Sequence, residues 1–197
     1  MIRAPLCDRC GAPTAWPVER CRECAGRRLA FARARAGVAY EGAAVALLRS
    51  WKEHGWRKLA TLAAGIVTTT VQAPAVETVT FVPSVPDRER WRGGNPARGL
   101  AEELSVHWQL SCSTLLARRS SPRRQRGLST AARRTNVRDA FAAPDAVPGR
   151  VALVDDVYTT GATVAAAASA LRAAGAYRVE VVTFARTLRT GGIAALR

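Results

Sequence analysis

Apolar positions follow two rhythms along this chain, and they alternate. Val151-Ala-Leu-Val154 is an unbroken apolar run of the length of a strand buried on both faces, and the small and aliphatic residues from Ala162 to Ala174 predict a helix after it. Thr78 to Val82 predicts another strand, stopped by Pro83 and Pro86, and Arg178 to Ala185 predicts the last one. Helical spacing governs the region before Thr78: Val45, Leu47, Leu48 and Trp51 recur on one face, then Leu59, Leu62, Ala63 and Ile66 on another. These predict helices over residues 40–51 and 56–67, joined by a kink carrying Lys52, His54 and Gly55. Phe31 to Ala36 is rich in Arg and Ala and predicts a helical segment or connector. Ala97 to Leu104 and Leu128 to Val137 predict helices, Leu110 to Ala117 a strand, and Phe141 and Cys112 core positions. Strands alternating with helices over residues 78–185 predict an α/β fold, a parallel sheet flanked by helices.

At 197 residues the chain can bury one core of ordinary size with a small appendage. No apolar run approaches the roughly 20 residues a membrane-spanning helix needs, and the first 30 positions hold four Cys and many Arg in place of a signal-peptide core. The expected location is cytoplasmic, with no membrane insertion.

Charge changes the picture more. The net charge is +15, and 28 of the 30 basic residues are Arg, with Lys only at 52 and 58. Eight Arg and no acid lie between Arg118 and Arg138. Two readings compete for this stretch: a polyanion partner such as diphosphate, single-stranded DNA or RNA, and a merely soluble basic surface.

Four of the five cysteines form two knuckles, Cys7-x2-Cys10 and Cys21-x2-Cys24, with Gly11 placed for a tight turn. Such spacing closes a tetrahedral Zn2+ site with all four ligands from protein, which is a structural site with no position open for catalysis. A segment of about 30 residues builds no core of its own, so the metal would supply its folding energy. A disulfide pair and a thioredoxin-like redox motif are the competing readings; a reducing compartment disfavours the first and the missing βαβ context the second.

The strand ending at Val154 runs into Asp155 and Asp156, then through Thr159-Thr-Gly-Ala-Thr163 into the predicted helix. Open α/β sheets bind ligands at this carboxyl edge. A phosphate there meets free backbone N–H groups, the positive end of the helix dipole and the hydroxyls of Thr159, Thr160 and Thr163, while Gly161 and Ala162 let the backbone come close. Carboxylates repel phosphate, so Asp155 and Asp156 suit hydroxyls, or a Mg2+ bridging hydroxyls and diphosphate. A phosphorylated ribose has both parts; a structural acidic pair with an N-capping Thr is the competing reading. A second strand end, after Thr78 to Val82, carries the loop Asp87-Arg-Glu-Arg-Trp-Arg-Gly-Gly-Asn-Pro96, where Arg92 and Asn95 could hold a diphosphate. Arg118 to Arg126, broken by Pro122, predicts a mobile lid closing over that diphosphate. Lys52 reads as a ligand contact or, more simply, as a solvated lysine. Neither His54 nor His107 has a catalytic partner in sequence.

Residues 151–164 resemble the signature of type I phosphoribosyltransferases, in which the acidic pair contacts ribose hydroxyls and the loop cradles a 5-phosphate. The ligand this resemblance implies is 5-phosphoribosyl-1-diphosphate (PRPP) with Mg2+. Over residues 5–185 the chain is similar to the ComF family, through the two knuckles, Val82-Pro-Ser-Val-Pro86, Arg92-Gly-Gly-Asn-Pro96, Gln125-Arg-Gly-Leu-Ser129, Arg133-Arg-Thr-Asn136 with Phe141, and Asp155 to Thr163. Gly94 stands where that family usually has Phe, and Pro96 where it has Gln. The resemblance implies a four-cysteine zinc ribbon over residues 1–30, a helical connector and hood over 31–76, and a phosphoribosyltransferase-like domain over 77–197. It adds Ser84 to the ligand set and implies a link to DNA uptake beside a helicase-like partner. If the protein is an enzyme, diphosphate would leave the anomeric carbon of PRPP as a nitrogen nucleophile attacks, with Asp155 and Asp156 orienting the ribose and Arg92 stabilising the leaving group. No general base stands out. The alternative is a non-catalytic accessory protein for single-stranded DNA or a helicase.

Overall fold

The computed structural model of the chain describes residues 2, 5–54, 58–87, 89, 94–119 and 140–188. Its centre is a five-stranded, all-parallel sheet. In chain order the elements are β1 (Arg33–Ala39), α1 (Gly42–His54), α2 (Lys58–Thr68), β2 (Thr78–Phe81), α3 (Pro96–Trp108), β3 (Ser111–Cys112), β4 (Ala117–Arg118), β5 (Phe141–Ala142), β6 (Arg150–Tyr158), α4 (Ala162–Ala173) and β7 (Arg178–Arg186). The sheet runs β1-β7-β6-β2-β3, with β4 and β5 forming a separate antiparallel pair.

The two middle strands are apolar on both faces because both faces are covered. Val151 and Leu153 of β6 and Val179 and Val181 of β7 pack against Leu171 and the alanines of α4, together with Phe31 and Phe141. Their neighbours Ala152, Val154, Val182 and Phe184 point the other way, onto Leu48 and Trp51 of α1, Ala63 and Val67 of α2, and Leu100 and Leu104 of α3. The core position predicted for Phe141 is thus occupied; Cys112 is half-buried at the edge of the second cluster.

Two expectations are corrected. Residues 33–39 are the edge strand β1, paired along β7 from Arg33↔Glu180 to Ala39↔Arg186, and not a helical connector. The Arg/Ala composition favours helix locally, but the pairing available along β7 overrides it. Arg33 Nε meets the buried Glu180 carboxylate at 2.6 Å, so its charge is used at the strand edge. Of the strand expected over residues 110–117, only Ser111–Cys112 joins β2, while Ala117–Arg118 pairs with Phe141–Ala142. The helix expected from Leu128 to Val137 lies outside the described residues.

Among the described residues, no helix is long and apolar enough to cross a membrane.

Candidate functional site

The cysteine knuckles fold as their spacing requires. Gly11 N–H donates to the Cys7 carbonyl at 2.9 Å with Gly11 at φ 70°, and Ala25 N–H donates to the Cys21 carbonyl at 2.8 Å. A side chain at Gly11 would also place its Cβ 2.4 Å from the Ala34 carbonyl oxygen of β1, so glycine is required twice over at this turn. The sulfurs of Cys7, Cys10, Cys21 and Cys24 all lie within 4.8 Å of one another, an arrangement able to hold a zinc ion. Burial opposes ionisation of Cys7, yet the backbone N–H groups of Cys10 and Cys21 bring its thiol down to about 7. Burial drives Cys10 upward and pushes Cys24 up to about 11. A cation held by four sulfurs takes the place of these protons.

The knuckles do not hang free. Cys7, Cys10 and Cys24 belong to the same buried cluster as Leu153 and Val181 of the sheet. Ala34 N–H donates to the Arg9 carbonyl at 2.9 Å, and Arg35 reaches the Asp8 carbonyl at 3.0 Å.

At the carboxyl end of β6 lies a cleft of about 360 Å3, lined by residues from both predicted strand ends. Asp155, Asp156, Thr159 and Thr163 come from the first, and Ser84 and Asn95 from the second. Thr160, Gly161 and Ala162 complete the loop without lining the cleft. Gly161 sits at the N-cap of α4 with φ 73° and no side-chain cap, and Thr160 Oγ1 accepts from Ala162 N–H at 3.3 Å. With no acid in its first turn, α4 presents its positive end to the cleft.

Asp155 is half-buried, and its Oδ1 accepts from Asp156 N–H at 2.9 Å. Burial, then the neighbouring Asp156 carboxylate, pushes its carboxyl up to about 8. Lys52 is no solvated lysine: its Nζ lies 2.5 Å from Asp156 Oδ2 with only 28% of the side chain exposed, and it also draws Asp155 downward.

Asn95 has two structural tasks. Its Oδ1 accepts from Ala97 N–H at 3.0 Å as the N-cap of α3, and its Nδ2 donates to the Val82 carbonyl at 3.0 Å. Pro96, the residue that departs from the usual Gln, occupies the first turn of α3, where its fixed φ is an advantage. Arg92 lies outside the described residues, as do residues 120–126 of the expected lid. Arg118, at the start of that basic stretch, lines the cleft and stacks over Phe141 at 5.3 Å. β4 and β5 pair there, bringing Arg119 N–H to the Ala140 carbonyl at 2.9 Å.

Sequence reasoning missed Tyr40 and misjudged Lys52, both of which line the cleft from the segment around α1. Nothing near them in sequence marks them; β1 and α1 carry them to the edge of β6. It also passed over Tyr158 and Arg186, whose signal is a large side chain with a polar end at the last position of β6 and of β7.

Known proteins similar to this chain lead to the same group. A DNA utilization protein YhgH from Salmonella typhimurium is 31% identical over 196 residues, covering 94% of this chain and 86% of the relative. Competence protein F of Haemophilus influenzae is 29% identical over 194 residues, covering 92% and 85%. The chain belongs to the ComF family. Another family member, YhgH of Escherichia coli K12, is 40% identical over 111 residues, 53% of this chain. No protein-family model matches the ComF chain described here.

Proposed function

We propose that this ComF-family chain binds PRPP with Mg2+ in the cleft at the end of β6 and serves DNA uptake or DNA metabolism. The observation that carries the reading is the meeting of opposite chemistries in one cleft: two carboxylates and an uncapped helix N-terminus with its threonines. A volume of about 360 Å3 lies in the usual range for small-ligand sites. The 5-phosphate takes the Thr159–Thr163 loop, and the ribose hydroxyls take Asp155 and Asp156. Ser84 and Asn95 face the diphosphate, with Lys52 and Arg118 as the cations at hand among the described residues.

Adjacent carboxylates form a hard oxygen donor set that suits Mg2+, which would neutralise charge on the diphosphate. For transfer to an acceptor, the chain's own part is to orient the ribose, hold both phosphate ends and keep cations near the leaving group. The names of the relatives, DNA utilization protein and competence protein, support the cellular setting. The four-cysteine cluster is read as a structural Zn2+ site.

Calorimetry with PRPP and Mg2+ tests the reading. We expect saturable binding that is lost in Asp155→Asn and Asp156→Asn; absence of binding by the unaltered chain would overturn it. Diphosphate release across a panel of amine acceptors separates a transferase from a binding protein.

A second reading rests on charge. The net charge of +15 and the acid-free Arg118 to Arg138 stretch favour an accessory protein that binds single-stranded DNA, alone or beside a helicase. It requires an affinity for single-stranded DNA that falls steeply with salt, with a shallower slope when Arg123, Arg124 and Arg126 are changed to Ala.

A further inference from the structure

The cysteine knuckles and the phosphate loop are joined through one buried arginine. Arg186, the last residue of β7, is 1% exposed. Its guanidinium donates to the carbonyl of Cys10 and meets Glu23 Oε2 at 2.8 Å. Cys10 is a candidate metal ligand, and Glu23 lies between two others, Cys21 and Cys24. The same guanidinium lies over the ring of Tyr158, 4.7 Å from its centroid.

Tyr158 closes β6 immediately before the loop and is 3% exposed. Phe31 braces its ring in a T-shaped contact at 6.4 Å. Gly161 rests on the other side so closely that a Cβ there would fall 2.3 Å from Tyr158 Oη and 2.4 Å from Cζ. Among the described residues that hydroxyl has no hydrogen-bond partner, so it is the ring, and not the O–H, that links these groups.

We infer that Arg186 and Tyr158 are positioning residues through which the metal-held ribbon sets the anion affinity of the Thr159–Thr163 loop. A buried guanidinium holds its place only while its acceptors hold theirs. The acceptors here are a backbone carbonyl and a carboxylate whose positions the sulfur cluster fixes. When either moves, the guanidinium leaves the Tyr158 ring, the ring tilts, and Gly161 shifts with the backbone amides at the start of α4. Groups that orient a binding set from behind affect affinity almost as strongly as the set itself. The inference deepens the PRPP reading and rests on it for the identity of the ligand.

The test uses the full-length chain with zinc bound, and four variants: Glu23→Gln, Arg186→Lys, Tyr158→Ala and Tyr158→Phe. Zinc content is measured for each, PRPP affinity by calorimetry, and the backbone amide resonances of Gly161, Ala162 and Thr163 by NMR. Glu23→Gln and Arg186→Lys are expected to retain zinc, to move those three resonances while leaving those of α3 in place, and to weaken PRPP about five- to tenfold. Tyr158→Ala weakens it at least as much, and Tyr158→Phe, which keeps the ring, restores it. If Arg186→Lys does not fold, Glu23→Gln carries the test, because its side chain is 24% exposed and keeps its shape. Zinc-loaded Glu23→Gln with unaltered loop resonances and affinity would overturn the inference. If the unaltered chain fails to bind PRPP while the loop resonances still respond to Glu23→Gln, the PRPP reading falls and the coupling stands.

Discussion

Asp155 carries a titration with consequences for stability. With its carboxyl raised from 3.8 to about 8, chiefly by burial, the folded chain holds a proton that the unfolded chain has released over that interval. The stabilising contribution is therefore complete below about pH 4 and is lost as pH rises through about 8. Urea denaturation of the Mg2+-free chain between pH 5 and 8 should show a contribution from this group that falls by at most about 1.4 kcal/mol per pH unit, and Asp155→Asn should remove that contribution. Lys52 works in the opposite direction. Because its ammonium draws the Asp155 carboxyl downward, Lys52→Ala should move the Asp155 titration to higher pH, read from its side-chain carbon resonance. Asp155 was legible in the sequence because two acids end an apolar strand; Lys52 was not, because the contact spans more than a hundred residues.

At the scale of elements, the cleft is defined by where helices start. α3 begins at Asn95, which caps the helix and also fastens it to the end of β2. Asn95→Ala should cost about 1–2 kcal/mol in chemical denaturation, and Asn95→Asp, which keeps the cap but turns a buried carboxylate oxygen on the Val82 carbonyl, should cost at least as much. α4 begins at Gly161, in the left-handed region and against the Tyr158 ring. Gly161→Ala meets both strain and a clash, so it should destabilise the fold by about 2 kcal/mol or more and weaken phosphate binding, measurable by thermal melting and calorimetry. Helix and strand periodicity disclosed β2, β6, β7 and all four helices named here, since each has an apolar face of the right rhythm. β1 escaped it. Its pattern of buried Ala34, Gly37 and Ala39 follows from the pairing with β7 and the Arg33–Glu180 contact, not from a rhythm in its sequence.

Across the whole molecule, the ribbon behaves as part of the fold. Its buried cysteines share a cluster with Leu153, Leu171 and Val181. With zinc held by the four cysteines, as proposed, a chelator should lower the melting temperature by more than about 10 °C in a single calorimetric transition, and not as a separate small step confined to the knuckles. The appendage read from composition is accordingly anchored to the sheet by the Arg9 carbonyl and by the side chains of Arg35 and Arg186, two charges that composition alone assigns to a basic surface.

The chemistry was legible along the chain: four thiols at metal spacing, an acidic pair and a Thr/Gly loop after a buried strand, and an excess of arginine. These are local patterns, and local covalent spacing is enough to specify them. The company they keep came from the fold. Parallel pairing of β1, β7, β6 and β2 brings Lys52, Ser84, Asn95 and Arg118 around Asp155 and Asp156. The same pairing carries Arg186 to Cys10 across 176 positions of chain. Contacts of that separation depend on which strands become neighbours, and no periodicity within one segment encodes it.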